Sequence, residues 1–124
     1  MPILEVEVVG QQQGDPPTEK LAERIAQTVG KALGVPNGQL WVKVSKLSAM
    51  SYAENGPPTG VLPVFVHVLV RTRDPSVWPQ RAATINAAVS EATNRKREAV
   101  HVIFEPDATA RVFFGGAPDS RSSP

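Results

Sequence analysis

The sequence contains no cysteine. Disulfides, thiol nucleophiles and thiolate-held metals are therefore excluded. Histidine is scarce too: His67 and His101 are the only two, so imidazole has little to offer a metal ion and no metal site is expected. Charge of one sign is missing as well, because 13 basic and 12 acidic residues leave a net charge of +1. Such a surface provides no field for nucleic acid or an anionic membrane, and neither is expected as a partner. No apolar run approaches the roughly 18 residues of a membrane span, and the N-terminus lacks the basic and apolar regions of a signal peptide. The expectation is a cytoplasmic protein. Its 124 residues suffice for one ordinary domain that buries roughly two-thirds of the surface of its unfolded chain.

What the chain does have is periodicity. In "ILEVEVV", Leu4, Val6 and Val8 alternate with Glu5 and Glu7, the period-2 signature of a strand with one apolar face. The next apolar residues, Leu21, Ile25, Val29 and Leu33, recur every four positions and predict a helix that Gly34 and Pro36 stop. "LWVKVSKL" reads as a second strand, and "SAMSYAENGPPTG" as a long polar loop. The pattern then restarts, with a strand in "LPVFVHVLV", a helix with Trp78, Ala82, Ile85, Val89 and Ala92 inward, and a last strand in "AVHVIF". Ile85 follows Ile25 by 60 residues, as Val89 follows Val29, so the chain reads as an internal duplication. The expected fold class is α+β: duplicated β-α-β units (βαββαβ) in one mixed sheet with two helices on one face, the strands within each half parallel. A single domain should span residues 1–116, with its halves at 1–47 and 61–116. "ARVFFGG" adds a short strand or an aromatic flap, and residues 117–124 read as a disordered tail.

The same element order serves RNA-binding domains, but those need stacked aromatics and a basic face, and "AVHVIF" supplies only Phe104 in a neutral setting. Small-molecule chemistry is better represented. If Met1 is removed, Pro2 becomes a secondary amine held at the start of a strand and a candidate catalytic base; otherwise it is strand punctuation. Arg71 and Arg73 in "VRTRD" are two apart, so in an extended chain both guanidiniums face one side and form a clamp for a small carboxylate. The alternative is a pair of solvated arginines leading into Asp74, which caps the helix that begins at Pro75. Tyr52 could donate a hydrogen bond to a substrate from its loop. His67, between Val66 and Val68, reads as a satisfied structural histidine, and Lys43 as a cross-strand partner of Glu5 or Glu7.

A Met-Pro start on a strand, paired βαβ halves over nearly the whole chain and arginines after the third strand together resemble the tautomerase superfamily. Short members, similar to 4-oxalocrotonate tautomerase, carry an arginine ten residues after the catalytic proline. Here the first half has Gln12 at that place, and the second has Arg73 ten residues after the internal Pro63. The long duplicated form, such as malonate semialdehyde decarboxylase and cis-3-chloroacrylic acid dehalogenase, is most similar in "FVHVLVRTR". The resemblance implies Pro2, Arg71 and Arg73 as catalytic residues, a homotrimer, and no metal or organic cofactor. It also offers Phe113 or Phe114 as an aromatic wall near the C-terminus, with packing at a subunit contact as the alternative. His101 falls roughly where short tautomerases place a second arginine, and strand-face packing is its alternative.

Several places depart from the long form. Gln39 stands where the decarboxylase has an aspartate that positions water, and Val29, Ile103 and Phe113 fall at the dehalogenase's other water-handling positions. Val29, Ile103 and Phe113 cannot polarise water, so shielded proton transfer gains over hydration. The expected function is keto-enol isomerisation of a small enol or 2-hydroxy-dienoate carboxylic acid. Decarboxylation, hydration or dehalogenation of small unsaturated or keto acids is the alternative chemistry, and a non-catalytic ligand-binding module the alternative class.

Overall fold

The alternation in "ILEVEVV" becomes strand β1 (Ile3–Val9), in which Leu4, Val6 and Val8 are buried and Glu5 is exposed. Helix α1 (Thr18–Leu33) buries Leu21, Ile25 and Val29. It stops at Gly34, whose left-handed backbone (φ 68°) lets the amides of Gly34 and Val35 reach the carbonyls of Lys31 and Gly30, a Schellman closure. Strand β2 (Trp41–Leu47) lies parallel to β1, β3 (Val64–Leu69) antiparallel to β1, and β4 (Val100–Phe104) parallel to β3. Helix α2 (Trp78–Thr93) joins the last two and ends at Asn94, also left-handed at φ 57°. In this computed structural model the described residues are 2–71, 74–106 and 110–118.

The sheet order is β2-β1-β3-β4. Each β-α-β half therefore contributes a parallel pair, as expected, and the halves meet antiparallel at the centre. Ile3 pairs with Leu69, Val6 with Val66 and Val8 with Val64. The duplication offset of 60 residues is also the separation of Val6 and Val66. A pseudo-two-fold axis thus passes through that pair, and it carries Pro2 onto Leu62.

One face of the sheet and the two helices enclose the core, which includes Leu4, Val6, Val8, Val64, Val66 and Val68 from strands and Ile25, Val29, Ile85 and Val89 from helices. Full burial of such side chains is worth roughly 1.5–3 kcal/mol each, so this layer is the main source of stability. The other face is left open by the chain. Lys43 crosses it to Glu5 at 3.0 Å, and His67 Nδ1 lies 2.7 Å from Glu105 Oε1, giving both residues the structural partners expected of them.

Two boundaries differ from the sequence reading. Asp74 accepts a hydrogen bond from the Ser76 amide at 3.0 Å, but the turn it caps is a short 3-10 segment (Pro75–Val77), and α2 proper begins at Trp78. Ala117 and Pro118, expected in the tail, instead pair antiparallel as β6 (Ala117–Pro118) with β5 (Phe113–Phe114). The turn that allows this runs through Gly115 and Gly116, at φ 62° and 85°. The remainder of the expected tail, 119–124, lies outside the described residues.

Candidate active site

Pro2 is buried where the sheet begins, and its carbonyl accepts a hydrogen bond from the Trp41 amide at 3.1 Å, which fixes it to the first residue of β2. Even residues of β1 face the helices, so Pro2 shares a side with Leu4 and opens on the gap between sheet and helices. That gap is a cavity of about 70 Å³ lined by Pro2, Leu33, Val68, Val70, Arg81, Ile85 and Phe104. Five elements or their ends build it, and its walls are apolar except at Arg81. Phe104 is held by a parallel stack on Trp78, with centroids 5.2 Å apart and planes 2° from parallel.

The arginine lining this cavity is not one that the strand pattern singled out. Val66, Val68 and Val70 alternate onto the buried side of β3 and its continuation; Arg71, next in line, is half-buried and does not line the cavity. Arg73 lies outside the described residues. Arg81 comes from α2, one helical turn before Ile85, on the stripe that continues to Val89. The signal was present in the sequence as a charged residue four and eight positions ahead of the core residues Ile85 and Val89. It was obscured because Ala82 fits the same stripe and is apolar.

The aromatic candidates divide by location. Phe114 meets Trp41 edge-on, with ring centroids 5.1 Å apart, and so stands at the Pro2 end of the sheet. Phe113, its neighbour, is 57% exposed. Tyr52 and His101 gather at the opposite end: both rings contact Phe65, at 6.1 and 5.6 Å. Phe65 pairs with Glu7, five residues along β1 from Pro2, or roughly 16 Å at the usual strand rise. The Tyr52 hydroxyl donates to the Glu54 carboxylate, and that bond raises its pKa above the ordinary 10.0. Among the described residues no group of three or more His, Cys, Asp or Glu side chains converges as a metal site would.

A different arginine closes the far end. Arg95, 2% exposed, donates to both carboxylate oxygens of Asp15 at 2.8 Å, to the Leu62 carbonyl at 2.8 Å, to Val9 at 3.1 Å and to Gly10 at 3.4 Å. Its hydrogen bonds hold the Asp15 carboxyl below the ordinary carboxylate value. This is a structural clamp at the end of the sheet away from Pro2.

No protein-family model and no curated protein matches the chain. Solved structures do. Pt0534, captured after inactivation by 2-oxo-3-pentynoate, is 18% identical, with a TM-score of 0.71 over 95% of both chains. A fused 4-OT wild-type symmetric trimer is also 18% identical, with a TM-score of 0.68 over 93% of both chains. Malonate semialdehyde decarboxylase is 17% identical, with a TM-score of 0.64 over 96% of this chain and 92% of the other. At such identities the likeness is one of fold, and it extends over nearly the whole length.

Proposed function

We propose that this chain, whose fold is that of the tautomerase superfamily, is a cofactor-independent keto-enol isomerase acting on a small enol or 2-hydroxy-dienoate carboxylic acid. Pro2, freed by loss of Met1, takes the enol or α-proton onto its nitrogen and returns it to another carbon of the same molecule, so that only a hydrogen and a double bond move. Arg71 and Arg73 hold the substrate carboxylate and draw electron density toward it. The observation that carries this reading is the burial of Pro2 against an apolar cavity at the end of the sheet. Apolar walls disfavour the cationic amine and keep the base neutral, and they exclude the water that would compete for the intermediate. Val29 is fully buried in the core and Ile103 lies on the open face, which leaves neither to polarise water beside Pro2.

The working form in this proposal is a homotrimer in the cytoplasm, in line with the fused 4-OT trimer of the same fold. Tyr52 and His101 then reach a Pro2 cavity from a neighbouring copy, since within one chain they lie at the opposite end of the sheet. Phe113 and Phe114 form the aromatic wall. Decarboxylation or hydration is the second reading, favoured by the likeness to malonate semialdehyde decarboxylase, and it requires a cationic Pro2.

The test is intact-mass spectrometry before and after incubation with 2-oxo-3-pentynoate. Loss of Met1 and one adduct mapping to Pro2 is the expected result. A retained Met1 and an unmodified protein would sink the catalytic reading and leave the ligand-binding module.

A further inference from the structure

Arg81 is the charged member of an otherwise apolar cavity wall. It is half-buried, and it has no hydrogen-bond or ion-pair partner among the described residues. The other inward arginine shows how this chain treats a guanidinium that it uses for architecture: Arg95 is surrounded by two carboxylate oxygens and three carbonyls. A guanidinium partly withdrawn from water without such acceptors is costly, and a carboxylate arriving beside it offsets that cost through two parallel hydrogen bonds. A second unused donor stands close by. Trp78 Nε1 is buried without a partner among the described residues, on the ring that stacks against the cavity residue Phe104. Trp78 does not itself line the cavity, so the donor that faces it is the Arg81 guanidinium, which beside apolar walls is complementary to an anion with a short apolar body. The space is small: about 70 Å³, against roughly 30 Å³ for one water in the liquid.

We propose that Arg81 binds the carboxylate of a short-chain acid in the Pro2 cavity and is the specificity-determining residue of that site. The inference rests on the reading of this cavity as the substrate site, and it assigns to a helix residue a role that the strand-end arginines alone do not fill. It also fixes polarity: the carboxylate lies toward α2 and the carbon chain toward Val68, Val70 and Pro2.

Propanoate and propanamide, nearly equal in shape and different in charge, test this by calorimetric titration of the full-length protein. The wild type is expected to bind propanoate at least ten-fold more tightly than propanamide. Arg81→Met should cut that preference several-fold, the strand-end arginines keeping the remainder, and Arg81→Lys should keep more of it. Should Arg81→Met fail to fold, Arg81→Gln replaces it under the same criterion. Equal propanoate affinity in wild type and variant, or no preference for propanoate in the wild type, would overturn the proposal. A neutral acetylenic ketone, 3-butyn-2-one, separates this outcome from failure of the base, because its addition to a proline amine needs no anion site. Labelling of Pro2 with unchanged propanoate binding in Arg81→Met removes Arg81 and keeps the base. Absence of labelling with lost propanoate binding removes the base and keeps Arg81.

Discussion

A proline amine can serve as a base only after its peptide bond to Met1 is gone, so the role proposed for Pro2 depends on a processing event as much as on the fold. Its surroundings then decide which reaction follows. Isomerisation needs the neutral amine, so kcat/KM should rise with pH and level off above the amine's titration; hydration or decarboxylation through the cation should fall over the same range. Removing a general base usually costs about 10²–10⁴-fold, and Pro2→Ala should lower kcat/KM for an enol-acid substrate accordingly. Retention of full activity in that variant would remove Pro2 from the mechanism. Of the residues singled out in the sequence, Pro2 lines the cavity, whereas Arg71 does not and Tyr52 and His101 stand at the opposite end of the sheet. Arg81 was less legible. Its place four residues before Ile85 fits the core stripe, but a period says which face a residue occupies and not whether that face opens on a cavity.

Helices and strands were easier to read than single side chains, because burial repeats along them. Leu21, Ile25 and Val29 are buried at their four-residue spacing, and Leu4, Val6 and Val8 at their two-residue spacing. Of the β5–β6 hairpin only the strand in "ARVFFGG" was expected and its partner was not, since a two-residue strand is too short to show any period. Clamps between elements leave no periodic trace either, and the Asp15–Arg95 pair joins residues 80 apart. Breaking a buried pair by removing one partner costs about 3 kcal/mol or more, because the remaining charge stays buried. Asp15→Asn should therefore lower the urea midpoint clearly at pH 7. The Asp15 carboxyl titrates below its ordinary 3.8 in the folded protein, so its contribution is complete above that value and is lost as pH falls through the lower folded-state value. The gap between wild type and Asp15→Asn should consequently narrow below about pH 4. Gly34→Ala should cost about 1 kcal/mol, since alanine resists the left-handed backbone that closes α1. A midpoint unchanged by that substitution would mean that the helix end relaxes without it.

At the scale of the molecule, helices cover one face of the sheet and the described chain leaves the other open. Ile103 and Trp41, 42% and 45% exposed, lie on the edge strands of that sheet. If copies associate through this surface, light scattering should give three times the 13.3 kDa chain mass, and Ile103→Glu should reduce it while leaving the far-UV circular dichroism unchanged. A monomeric wild type would rule out the trimer. The axis through Val6 and Val66 gives the domain two corresponding corners, one at Pro2 and one at Leu62. Arg95 fastens the Leu62 corner through its carbonyl, whereas Arg81 stands at the Pro2 corner with its hydrogen-bonding capacity unspent. The two corners thus carry opposite fittings: at one a guanidinium is riveted by five acceptors, and at the other the donors stay open beside an apolar wall. Loss of Arg95 should appear as a lower melting temperature, and loss of Arg81 as weaker binding with melting unchanged or raised.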